Sequence, residues 1–143
     1  LFDTLGSRDR AWSRTLGGAS YELLFTVLET LMRAGCSCVI ESNFEAGRHT
    51  EHLRGLCETY RFTPVEILCT ADLETLRRRY RDRLGSRHAG HVDHVNEATN
   101  EASWTGGRHG LLDLGGQTMT VDTARFGGLE RNSLLKDLKS QLT

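Results

Sequence analysis

Between Ala19 and Ala34, the positions Tyr21, Leu24, Leu28, Leu31 and Met32 recur at helical spacing, while Glu22, Thr26, Glu29 and Arg33 fall largely outside that face. Such a stripe predicts an amphipathic helix, and Gly35 is the residue type that most readily ends one. The run Cys36-Ser37-Cys38-Val39-Ile40-Glu41 that follows is short, apolar and closed by Ser42-Asn43, which predicts a buried strand. The alternation then repeats. Leu53, Leu56, Cys57 and Tyr60 keep helical spacing within residues 48–60, and Pro64 to Cys69 reads as a second strand, its proline at the start where no ladder donor is lost. A third helix is expected over 72–84, with Asp72 or Thr70 as N-cap and Gly85 just past its end. Helices alternating with short hydrophobic strands predict an α/β fold on a parallel sheet with right-handed crossovers.

Beyond Gly85 the pattern changes. Residues 85–94 are rich in glycine, histidine and arginine without apolar periodicity, and predict an exposed loop. Leu111 to Leu114 and Thr118 to Asp122, on either side of Gly115-Gly116, suit a hairpin whose second arm could instead join the main sheet. Leu129 to Leu142 predicts a closing amphipathic helix with Leu134, Leu135, Leu138 and Leu142 on one side. No repeat or linker interrupts the chain, so its 143 residues are expected to form a single domain. Leu1 to Leu5 reads like the middle of an element, and the expectation is an N-terminally truncated domain.

Composition narrows the class. A hydrophobic content of 38%, a charged content of 26% and one proline describe a soluble globular protein. The formal net charge of −1 gives no overall attraction to nucleic acid or membrane. No run approaches the roughly 20 apolar residues of a membrane span and no leader pattern opens the chain, so the expected location is cytoplasmic. Cys36, Cys38, Cys57 and Cys69 are expected as reduced thiols, mostly buried as small hydrophobes.

Two segments could carry chemistry. Six arginines fall between Arg77 and Arg87; Arg79 and Arg83, four apart, share a helical face that Arg87 continues into the loop. Paired guanidinium donors suit phosphate oxygens, although the spacing alone also fits a solvated face partly neutralised by Asp72, Glu74 and Asp82. The helix follows directly from a strand, and in open α/β sheets ligands bind beyond the carboxyl ends of strands. The second segment, Glu41-Ser42-Asn43-Phe44, stands at such an end, where a carboxylate can hold Mg²⁺ and an asparagine can bind substrate. The remaining polar residues have plainer readings. His88, His91, Asp93 and His94 match no standard zinc spacing, His49 and His52 read as surface residues, and Trp12 and Trp104 as packing residues.

From about Phe2 to Thr123 the chain resembles the later two-thirds of a P-loop kinase-like ATPase domain. The resemblance rests on Gly35 to Phe44 and on the segment from Thr70 to Asp93, with Arg-Tyr-Arg-Asp-Arg at 79–83 and Arg-His-Ala-Gly-His-Val-Asp at 87–93. The group is that of predicted small-molecule kinases of the AAA-type ATPase class, related to chloramphenicol phosphotransferase and the zeta toxins. It implies a partial P-loop NTPase-type parallel sheet flanked by helices, with an arginine-rich lid. It further implies ATP and Mg²⁺ as cofactors, Glu41 near Mg²⁺ and the transferred phosphoryl group, and Asn43 facing the acceptor. Arg79, Arg83 and Arg87 become lid arginines, and Asp122 and Thr123 border the adenine. The family more often has proline where this chain has Ala89.

One departure is large: Gly-x-x-x-x-Gly-Lys-Ser/Thr, whose backbone amides cradle phosphate, occurs nowhere in these residues. The expected function is thus an ATP-binding small-molecule kinase, inactive as this chain, with a small-molecule acceptor and no membrane or specific nucleic-acid partner. The alternative is a non-catalytic module whose arginine segment binds an anionic partner. Absence of the usual central strand would leave an exposed sheet edge open to self-association.

Overall fold

In the computed structural model, which describes residues 2–88, 109–124 and 131–141, a short helix α1 (Phe2–Leu5) precedes the 24-residue α2 (Arg10–Arg33). Helix α2 starts well ahead of the apolar stripe because Asp9 caps it, its carboxylate accepting the Trp12 N–H at 2.9 Å. The expected stop holds. Gly35 takes φ +70°, donating to Met32 O while Cys36 donates to Leu31 O, both at 2.9 Å, the paired bonds of a Schellman ending.

Cys36 to Glu41 carries no regular secondary structure and pairs with no strand among the described residues. Val39 is 95% exposed and Cys36 and Cys38 are exposed, which corrects the expectation of a buried strand with buried thiols. A β-segment is buried and ordered by its neighbours, and here only Ile40 reaches the core.

The chain continues through α3 (Ala46–Tyr60), β1 (Val65–Thr70), α4 (Leu73–Leu84), β2 (Gln117–Asp122) and α5 (Arg131–Gln141). Strands β1 and β2 pair in parallel from Val65↔Gln117 to Thr70↔Asp122. Asp72 caps α4 as expected, its carboxylate taking the Thr75 N–H at 2.8 Å and hydroxyl at 2.7 Å. Those two bonds hold the Asp72 carboxyl below its ordinary range.

The hairpin does not form; its second arm joins the main sheet as β2. The first arm is diverted by a buried side chain. Glu66, on β1, accepts the N–H groups of Leu112 at 2.6 Å and Leu114 at 2.7 Å, so these amides serve a carboxylate instead of a ladder. Gly116 then passes Pro64 so closely that an added Cβ would lie 1.9 Å from the Pro64 carbonyl oxygen.

The core lies between α2, α3 and residues 109–116: Leu28 and Met32 pack with Leu53, Leu56 and Leu112, joined by Phe25, Ile40, Phe44, Tyr60 and Phe62. The sheet itself is less covered, with Ile67 42% exposed and Cys69 exposed. Cys57 is half-buried, and that burial pushes its thiol up. Among the described residues no helix is long and apolar enough to cross a membrane.

Because Glu66 satisfies two amides away from water, Glu66→Ala is expected to lower stability by about 2–4 kcal/mol. Glu66→Gln, which keeps one carbonyl acceptor, is expected to lose less, both read from urea unfolding midpoints.

Candidate functional site

A parallel pair brings both strand ends to one edge of the sheet, and Thr70 and Asp122 share that edge here. Just beyond it, Thr123 donates its N–H to Thr70 O at 2.7 Å and its hydroxyl to the same oxygen at 2.8 Å. Arg79 reaches over from α4. Its guanidinium donates to the carbonyl oxygen of Thr123, to that of Ala124 at 3.3 Å and to the Thr123 hydroxyl at 3.3 Å. The Asp122 carboxylate accepts the Ala124 N–H at 2.8 Å, closing a turn on itself. The expected residues Arg79, Asp122 and Thr123 thus form one cluster, in which Arg79 binds the chain's own carbonyls.

Arg83 and Arg87 are exposed, the Arg83 guanidinium 5.8 Å from the centre of the Tyr80 ring. Elsewhere on α4, Arg77, Arg78 and Arg81 line an open depression with Glu74 and Asp82. His88 lies 3.2 Å from the Asp3 carboxylate and stacks on Phe2, tying α1 to the turn after α4. His91, Asp93, His94 and Trp104 lie outside the described residues. Trp12 packs as expected, beneath Arg8 and donating to Gly6 O at 3.0 Å.

A second cluster surrounds Asn43. Tyr21 of α2 places its hydroxyl 3.0 Å from Asn43 O and 3.1 Å from Asn43 Oδ1, and Ser42 donates its own hydroxyl to Tyr21 at 3.1 Å. Glu41, next in the chain, is exposed. The arrangement offers hydroxyl and amide groups to a polar small molecule beside a solvent-facing carboxylate.

His49 corrects an expectation. It is only 3% exposed, stacked on Tyr21 with ring centres 4.4 Å apart and edge-on to Phe44 at 5.7 Å. Its Nδ1 accepts the Glu45 N–H at 2.9 Å, and burial pushes the imidazole below its ordinary pKa. The signal was present in the spacing. With Glu45 as N-cap of α3, Phe44 and His49 occupy the N′ and N4 positions of a hydrophobic staple. His52 is exposed as expected, its ring 4.5 Å from Phe25.

Among the described residues no three His, Cys, Asp or Glu side chains gather into a metal cage. Glu41 stands as a single exposed carboxylate, and Mg²⁺ is commonly held by one or two carboxylates together with substrate phosphates.

No family model and no curated protein matches the chain. A solved structure does: a protein described as a putative kinase from Chloroflexus aurantiacus is 34% identical, with a TM-score of 0.89, the match covering 99% of this chain and 78% of that one.

The contacts separate the arginines by role. Arg79→Ala is expected to destabilise the fold by about 1–3 kcal/mol. Arg83→Ala should stay within about 0.5 kcal/mol, as exposed substitutions usually do, with chemical denaturation of both variants as the check.

Proposed function

The chain belongs to the family of the Chloroflexus protein, and from that premise we propose that it forms the acceptor and lid portion of an ATP-dependent small-molecule kinase of the P-loop class. The observation that carries this reading is the match at 34% identity over 99% of the chain, with a TM-score of 0.89, to a protein described as a kinase. The strand-end residues and the arginine helix then have roles to fill.

When bound, ATP with Mg²⁺ supplies the phosphoryl group. Glu41 is the carboxylate that would hold the metal, and Asn43 with Ser42 orients the acceptor hydroxyl. Arg83 and Arg87, exposed on and after α4, would meet phosphate oxygens on closure and stabilise their charge with water excluded. Arg79 fastens the lid helix to the end of β2 through Thr123 and Ala124, so it acts on the phosphates through position. Asp122 and Thr123 border the nucleotide base. Lacking Gly-x-x-x-x-Gly-Lys-Ser/Thr, the 143 residues do not turn over ATP by themselves. A second reading draws on the depression lined by Arg77, Arg78 and Arg81: a non-catalytic module binding an anionic partner.

Radiolabelled ATP and a panel of hydroxyl-bearing small molecules test the two. The 143-residue chain transfers no phosphate. A longer protein in which a strand and a phosphate-binding loop precede this chain is expected to bind ATP with Mg²⁺ and phosphorylate an acceptor. In that protein Glu41→Gln lowers kcat about 10²–10³-fold. Failure of the longer protein to bind ATP, together with polyanion binding that weakens steeply with salt, would overturn the kinase reading in favour of the module.

A further inference from the structure

Residues Ser42 to Glu45 connect residues 36–41 to α3, and three parts of the molecule grip their backbone. Tyr21, from α2, donates its hydroxyl to Asn43 O at 3.0 Å. His109, from the segment before β2, has its Nδ1 3.2 Å from Phe44 O. His49, from α3, accepts the Glu45 N–H on Nδ1 at 2.9 Å. The first and last of these grips are joined, since the His49 and Tyr21 rings are stacked 4.4 Å apart at an interplanar angle of 22°.

The imidazole at position 49 is an expensive way to fill this space. Because Nδ1 accepts, the ring proton of the neutral form sits on Nε2, and Nε2 is buried with no hydrogen-bond partner among the described residues. A phenylalanine would fill the same cage of Tyr21, Phe25 and Phe44 without an orphaned donor. What imidazole provides in return is one bond, to the last residue of the loop.

We propose that Tyr21 and His49 act as one positioning unit that holds the loop Ser42–Glu45, and that acid releases the loop by protonating His49. Protonation turns Nδ1 into a donor facing the Glu45 donor and places a charge among three aromatic rings. The groups around the ring are Arg48 and His52 on α3, which oppose that charge, Glu45 at the cap, which favours it, and Tyr21 on α2; burial outweighs them. The neutral form is therefore favoured by folding. Its contribution is fully present above the ordinary imidazole value of 6.5 and is lost as pH falls through and below it. His109 Nδ1, facing the Phe44 carbonyl oxygen, makes its contact as a donor. Acid thus breaks the His49 grip. That the loop presents Ser42 and Asn43 to a phosphoryl acceptor rests on the kinase reading; the gripping of the loop does not.

Hydrogen exchange and imidazole ¹⁵N spectra of the 143-residue chain, without nucleotide or acceptor, test this. At neutral pH the His49 spectrum is expected to show the Nε2–H tautomer. His49→Phe lowers the protection factor of the Glu45 amide about tenfold and leaves the amides of β1 and β2 unchanged. The wild type shows the same selective loss as His49 protonates, and His49→Phe shows no such pH step. Tyr21→Phe, which keeps the stack, shifts the Asn43 side-chain amide resonances. An Nδ1–H tautomer, a Glu45 amide indifferent to His49 protonation, or a loss spread equally over β1 and β2 would each overturn the proposal. If His49→Phe fails to fold, the wild-type titration decides alone.

Discussion

Parallel pairing of β1 with β2 is the constraint on which the candidate site depends. In a parallel ladder both strands finish at the same end of the sheet, so once a crossover has laid them side by side, residues some fifty positions apart in the sequence meet there. The pair is closed at both ends, by Gln117 N–H to Pro64 O at 3.2 Å and Thr123 N–H to Thr70 O at 2.7 Å. Arg79 adds the third member by tying α4 to that closure, so the helix bearing Arg83 leaves the sheet at a set place. Parallel register, threonine closure and arginine tie form one mechanical unit.

A second unit surrounds Asn43 and is built differently. There the core of α2 and α3 supplies the rigidity, and aromatic stacking carries it to the loop after Glu41. Tyr21 and His49 each have one ring face in the packing and one polar atom on the loop backbone, an economical way to order a segment with no ladder of its own. Glu66 plays a comparable part beneath β2, where its two carboxylate oxygens replace the hydrogen bonds a hairpin would have made. In each case a polar side chain does for an irregular segment what a neighbouring strand does for a regular one.

The legible features were those governed by short-range rules. Asp72 before α4, Gly35 after α2 and the run of alternating elements are local capping and periodicity effects, visible in any isolated stretch of the chain. Among the candidate residues, Asn43 stood out by its place after an apolar run, Arg79 by its helical spacing with Arg83, and Asp122 and Thr123 only through the family resemblance. Their partners did not, since hydrogen bonds from Arg79 to Thr123 or from Tyr21 to Asn43 depend on which elements become neighbours. His49 was misread for a related reason: a histidine next to arginine and glutamate looks solvated until the aromatic residues of another helix close over it.

By itself, then, the sequence determined where helices start and stop, that the fold is α/β with parallel strands, and which residue types could meet an anion or a hydroxyl. These follow from dihedral preferences and hydrophobic period, which act over a few residues. Tertiary structure alone decided that Cys36 to Glu41 stays unpaired, that Gln117–Asp122 leaves its hairpin to lie beside β1, and that Arg79 spends its donors on carbonyl groups. Those outcomes turn on burial and on the satisfaction of backbone polar groups. Both depend on what lies opposite, which no local pattern specifies.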